Sequence, residues 1–513
     1  MQDINWVALI IFVALFALIS WLGFAAANWR KGDLDQLHEW GLGGRRFGTM
    51  VTWFLVGGDL YTAYTFIAVP ALAFGAGAVA FYAVPYTILI YPILFLVFPR
   101  LWQVCHKHGY ITAGDFVRGR FGNRWLALAI AVTGIVATMP YIALQLVGIQ
   151  VVVGALGIGG SGLVADVPLI IAFLILAAFT YSSGLRAPAS IAIVKDVLIY
   201  LTAIVAIIVI PMQLGGFDKI FAAVPATKVL LAAPPPNSTG SFSNYATLAL
   251  GSALALFLYP HSLTGILSAN SAKAIRRNAA LLPSYSLLLG LLTLLGLFAI
   301  AAGVATLPEF AAGFKQYGAS FAVPALFLHS FPSWFVGIAF AAIGIGALVP
   351  AAIMSIAAAN LYTRNIHREF INKNPTDKQE AQMAKWVSLI VKLGALVFIL
   401  FLAPTYAVQL QLLGGVWIIQ TLPAVLLGVY TRRLNDWALL IGWAAGIAVG
   451  TAMAFSVNLV STFPLSIGGF VFPGYAAFYG LVLNLIVALV LTPVFNGRGR
   501  QTIDATVPAD YVA

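Results

Sequence analysis

Charge is the scarcest property of this sequence. Asp, Glu, Lys and Arg supply 8% of its 513 residues, against 61% hydrophobic residues. A soluble domain carries about 25% charged residues, so a water-exposed globular fold is excluded. With a mean hydropathy of +0.97, the solvent is the bilayer. Cysteine is nearly missing as well: Cys105 stands alone, which excludes an intramolecular disulfide framework and a cysteine-built metal site. No phosphate-binding Gly-Lys-Ser loop appears, and "GDLDQLHEWGLGGRR" (32–46) has glycines without a GxGxxG spacing. ATP-driven transport and nucleotide binding are therefore not expected. An intramembrane enzyme would need paired acids, a nucleophile with its base or an HExxH motif. A channel would show pore rings or a repeated filter motif. Neither pattern is visible.

What is present is a succession of thirteen apolar segments, about 6–28, 50–78, 80–103, 125–157, 166–184, 190–213, 244–270, 282–306, 331–362, 386–403, 405–430, 436–456 and 474–495. Each has, or nearly has, the length of a helical span. The first is too long for a signal-peptide core and has no basic stretch before it, so it reads as a retained helix. Alternate loops hold 23 of the 27 Lys and Arg residues; the opposite set holds Lys219, Lys228 and Lys315. That asymmetry predicts an N-terminus outside and a C-terminus in the cytoplasm of a plasma (inner) membrane. The net charge of +11 is then an orientation device, and no nucleic-acid partner is expected. No loop is long enough for a soluble domain.

Two apolar segments carry liabilities. "WFLVGGDLYTAYTF" (53–66) sets Asp59 behind two helix-weakening glycines, where a charge costs about 2.5–3.5 kcal/mol. "ALFLYPHSLTGILSAN" (255–270) is interrupted by Pro260 and His261. The interrupted segments are the second and the seventh, and matched broken helices in two halves point to an inverted-repeat transporter. Asp59 either caps its broken helix or meets a cation or proton. The Pro-His pair is either a kink with a satisfied histidine or the other half of a binding site.

Further stretches carry a family resemblance. "GYITAGDFVRGRFGNR" (109–124), "MPYIALQLVGI" (139–149), "TYSSGLRAPASIAIVKD" (180–196), "ALVPAAIMSIAAANLYTRNI" (347–366) and "LPAVLLGVYTRR" (422–433) resemble the sodium:solute symporter family. The resemblance implies an all-α membrane protein of about 13 transmembrane helices: a LeuT-like 5+5 inverted repeat with an extra N-terminal helix and two C-terminal helices. Its parts would be 1–49 (extra helix and basic loop), 50–213 (first repeat), 244–430 (second repeat) and 431–513 (C-terminal helices and tail). Within the family the sequence is most similar to bacterial monocarboxylate permeases. Amino-acid, pantothenate and sugar carriers stand as alternatives.

The resemblance also implies a sodium site where the second and ninth segments meet. Its ligands would be main-chain oxygens near Gly57 and Leu60, the Ala352 carbonyl and the Ser355 hydroxyl. A second hydroxyl is expected next, but Ile356 stands there, so the coupling ion is Na+ or H+, with Asp59 or Asp196 as a carboxylate that would carry a proton. Asp196 is also expected on a cytoplasmic cation exit path. A small carboxylate substrate would find free amides after Pro260, donors on Tyr259 and His261, a polar lining from Tyr61, Thr62, Tyr141 and Gln145, and Trp53 beside its apolar tail. Lys392 is expected to snorkel, Lys195 and Asp196 to form an interfacial ion pair, and His106 and His108 to be solvated. Beyond the coupling ion no cofactor is expected, and the oligomeric state is not legible.

Overall fold

The computed structural model describes residues 4–29, 32–158, 163–400, 407–497 and 503–512. The end of the tenth apolar segment and the start of the eleventh lie outside the described residues, as do Arg30, Lys31, Arg498 and Arg500. All thirteen segments are helical at least in part. Length and composition, however, credit nine described helices as able to cross a membrane, or ten with one bent pair counted as a span. The count of thirteen is not reproduced by that criterion, for local reasons. The second segment is divided, its first piece being the 12-residue helix Thr49–Leu60. The apolar part of the fifth, Val167–Ser183, falls short of full length. The tenth, Asp377–Leu400, opens on the charged run DKQEAQMAK.

The ninth segment forms the axis of the packing. Its helix Ser333–Leu361 is almost entirely buried and rich in Ala and Gly, which lets neighbouring backbones come close. It packs against the helices Trp6–Ala25, Arg124–Val153, Arg186–Gln213 and Asp377–Leu400. A Cβ on Gly337 would stand 2.7 Å from the Ala8 carbonyl oxygen. The first helix lies outermost, turning Trp6, Ile10 and Trp21 outward.

On the face bearing the basic loops, polar side chains cap the helices around residues 112–123. Thr112 accepts from the Asp115 amide at 2.9 Å to start the helix Ala113–Phe121. Gly122, at φ 64°, ends it, and Asn123 starts the next helix by accepting from Trp125 and Leu126. Asp115 in turn accepts from Asn365 at 3.0 Å, and Arg364 bridges Asp115 and Glu380. The tail docks here too. Asp504 pairs with Arg120 at 2.6 Å, and Asp510 with Lys107 at 2.6 Å and His108 at 2.8 Å. Hydrogen bonds from Lys107, the Val507 amide and His108 hold the Asp510 carboxyl well below the usual carboxylate range. A lowered carboxylate stabilises docking above its ordinary value and loses that contribution only as pH falls through the depressed one. Limited proteolysis of the tail should therefore stay slow from neutral pH down to about 4 and accelerate only below. Acceleration already near pH 6 would contradict this.

Among the described residues one hairpin departs from the all-α pattern. β1 (Thr462–Ile467) and β2 (Phe470–Tyr475) form an antiparallel hairpin between the last two long helices. Its two-residue turn is Gly468-Gly469, both at positive φ, as such a tight hairpin requires.

Cys105 lies buried on the helix Phe98–His108, and burial pushes its thiol up to about 12. Thiolate is the reactive form, so maleimide should label the protein only after denaturation. Rapid stoichiometric labelling of the folded protein would contradict that placement.

Candidate functional site

The helix Thr49–Leu60 stops at Tyr61, whose φ −102° and ψ 94° are extended. The chain turns helical again through a wide turn at Tyr64–Ala68 and the helix Val69–Ala76. Inside a bilayer every backbone group freed by such a break needs a partner, and side chains supply them. The Ala63 amide donates to Gln145 Oε1 at 3.2 Å, the Tyr64 amide to Thr62 Oγ1 at 3.0 Å and the Thr62 amide to Thr65 Oγ1 at 3.3 Å. The carbonyls of Gly58 and Tyr61 accept from Lys195 Nζ. Gln145 and Thr62, expected in the substrate lining, are thus bonded to the break itself.

The second break bends the helices Gly240–Leu256 and Pro260–Leu267 by 47°. Pro260 occupies the first turn, where a missing amide costs nothing. The two breaks meet at Asp59. Ser262 donates to Asp59 Oδ2 at 3.2 Å, and His261 Nε2 stands 3.6 Å from the same oxygen. Asp59 and His261 are both 2% exposed. Asp59 Oδ1 and His261 Nδ1 have no hydrogen-bond partner among the described residues. The Tyr141 ring lies 5.3 Å from His261 and 5.4 Å from Tyr259, while the Tyr259 hydroxyl donates to the Gln411 carbonyl at 2.9 Å. Asp59, Tyr141, Tyr259 and His261 therefore share one site. Ser262 joins them without having been singled out, because a serine in an apolar run carries no signal until the proline two positions earlier is placed at a helix start. A narrow cavity beside this break is lined by Pro260, Leu263 and Thr264 and, from the other side, by Ile111, Thr112 and Ala113.

The other candidates gather elsewhere. Asp196 pairs with Lys195 at 2.7 Å and accepts from the Tyr285 hydroxyl at 2.6 Å. The Tyr285 ring packs on Tyr61 at 4.6 Å and on Trp53 at 4.8 Å. Gly57 and Gly58 make room for this group: a Cβ would stand 2.3 Å from the Tyr285 ring at Gly57, and 2.8 Å from Asp196 and Lys195 at Gly58. The Lys195–Asp196 pair is fully buried, not interfacial. Leu60 closes the first half-helix. Ala352 and Ser355 form a third group, in which Ser355 donates to the Ala352 carbonyl at 2.8 Å and stands 3.3 Å from the Ser388 hydroxyl. Lys392, expected to snorkel, is buried and donates to Ser388 at 2.7 Å.

Comparisons with known proteins bear on this arrangement. The sodium:solute symporter family matches residues 40–446. A protein of Rhizobium johnstonii named monocarboxylate transport permease protein is 50% identical over 498 residues, covering 97% of this chain and 98% of the relative. The uncharacterized symporter YodF of Bacillus subtilis is 33% identical over 494 residues, 96% of this chain and 94% of its own. Among solved structures, a Na+-coupled sialic acid symporter in its substrate-bound outward-open state superposes with a TM-score of 0.74 at 16% identity, over 95% of this chain and 98% of that one. That likeness establishes the fold as LeuT-like, built on two broken helices that face each other. On the family match and the full-length relatives together, this chain belongs to the sodium:solute symporter family.

Proposed function

We propose that the chain imports short monocarboxylates, acids of the lactate, pyruvate and acetate kind, together with a cation by alternating access. The observation that carries the reading is Asp59, whose free carboxylate oxygen lies beside the N-terminal turn of the helix Pro260–Leu267. Helix N-termini attract anions, and His261 and Tyr141 add donors and an apolar wall there. An acid anion drawn to this turn would stand next to a second carboxylate in apolar surroundings. Two like charges so placed strongly disfavour each other, so the acid enters only with a proton or metal cation that cancels one of the two charges. Coupling then follows from charge balance. The Rhizobium relative's name supports the substrate class.

In this reading residues 50–213 and 244–430 are the two inverted repeats. The pair of broken helices rocks against the remaining helices, the N-terminus lies outside and the basic loops lie in the cytoplasm. Labelled lactate or pyruvate uptake into proteoliposomes tests it, with a sodium or a pH gradient imposed and valinomycin with potassium fixing the potential. Saturable accumulation above that of empty liposomes is expected with one of the two gradients. No accumulation with either, or accumulation abolished by excess proline, pantothenate or glucose, would remove the monocarboxylate assignment.

A further inference from the structure

We infer that the Lys195 ammonium is the built-in cation of the first break, and that no free sodium ion binds at that break in the native chain. Ending a helix at Leu60 turns the carbonyl oxygens of its last turn, and of Tyr61 after it, loose inside the membrane, where they must find a positive partner or a donor. Two of them, Gly58 O and Tyr61 O, converge on Lys195 Nζ, and Asp196 Oδ1 completes the set at 2.7 Å. Two main-chain carbonyls and a carboxylate are also the oxygens a dehydrated sodium ion would take. Here an ammonium with three donors takes them instead, held by its own helix and shut off from solvent.

The family-implied sodium ligands on the ninth segment are engaged with their own neighbours. The Ala352 carbonyl accepts from Ser355 at 2.8 Å, Ser355 stands beside Ser388, which accepts from Lys392, and Ile356 offers no oxygen. Asp59 on the broken helix, Asp196 and Tyr200 on the Lys195 helix, and Tyr61 and Tyr285 across from it are the titratable groups around the ammonium. Asp196 is the one that pairs with it directly. A tethered cation cannot leave, so the ion that accompanies the substrate must bind elsewhere, with the free oxygen of Asp59 as the open position.

The inference rests on the symporter reading only for its transport measurement; ion binding is read without substrate. Lys195→Ala vacates the ammonium and leaves the three oxygens facing a hole large enough for a small cation. The purified variant is compared with the native chain in sodium, methylammonium and choline buffers, by yield of monodisperse protein, melting temperature and lactate counterflow. Sodium or methylammonium should raise the variant's Tm by about 5 °C over choline through mass action, with a smaller shift in the native chain. Adding Asp196→Asn to Lys195→Ala should remove that gain. Methylammonium should also restore counterflow. If Lys195→Ala yields folded protein only in sodium or methylammonium, that outcome equally supports the inference. Absence of any response to either cation, in yield, Tm or counterflow, overturns it. So does a Lys195→Met variant as stable and as active as the native chain, because the site would then need bulk and not charge. A native chain that moves no monocarboxylate removes the functional reading and leaves the ion comparison standing.

Discussion

Asp59→Asn is expected to lower gradient-driven acid accumulation by roughly tenfold or more, the loss of about 1.4 kcal/mol of coupling or above, while leaving the protein at least as thermostable. Asparagine keeps the shape of the side chain and an oxygen for the Ser262 hydroxyl, now 3.2 Å from Asp59 Oδ2. What disappears is the negative charge that an incoming acid must have neutralised. The same charge costs about 2.5–3.5 kcal/mol at membrane depth, so its removal relieves the folded state. Higher Tm together with flattened ion dependence is a combination that a merely structural aspartate would not give. Unchanged uptake with an unchanged ion dependence would sink the role assigned to Asp59.

Arg186→Ala is expected to destabilise the protein by about 3–5 kcal/mol, the range for breaking a buried ion pair from one side. Arg186 begins the helix Arg186–Gln213 with no exposed surface. Its guanidinium donates to the Glu39 backbone carbonyl at 3.0 Å and pairs with the Glu39 carboxylate. Without it, the buried Glu39 keeps Arg46 at 2.7 Å, a side chain that is half exposed and poorly placed to neutralise it. The loss approaches the whole stability of many domains, so folded yield should collapse before transport can be measured. Replacing both residues with leucine should recover much of it, because an apolar pair leaves no stranded charge. A melting temperature within 2 °C of the native value, the effect of roughly 1 kcal/mol or less, would contradict the expectation.

The membrane class and both helix breaks were legible because each is written as a local anomaly: Asp59 behind Gly57-Gly58, and Pro260-His261 inside an apolar run. Of the family stretches, 109–124 was legible for a different reason, since it holds caps and loop locks such as Thr112, Asp115 and Gly122, whereas 139–149 lies inside the helix Arg124–Val153. Lys195 was not legible. Hydropathy places it near the edge of its segment, yet the helix begins nine residues earlier at Arg186 and carries Lys195 inward to the first break. No one-dimensional pattern reports that two carbonyls from residues 58 and 61 will converge on it. Thr62 and Gln145 illustrate the converse. Both are polar residues near the expected site, but in three dimensions their hydrogen bonds go to backbone amides at the break. Trp53 and Tyr61 separate from Tyr141 and His261 because they face Tyr285, a contact set by the eighth segment and invisible from their own.

The solitary thiol has a practical consequence. Because Cys105 is sealed in the packing of its helix, a cysteine introduced at any exposed position becomes the sole reactive handle, and the native residue needs no replacement. A pair introduced on either side of the cavity between Ile111 and Pro260 can therefore carry spin labels or fluorophores without background. The separation across that cavity then becomes a distance distribution, read molecule by molecule as substrate and ion are changed.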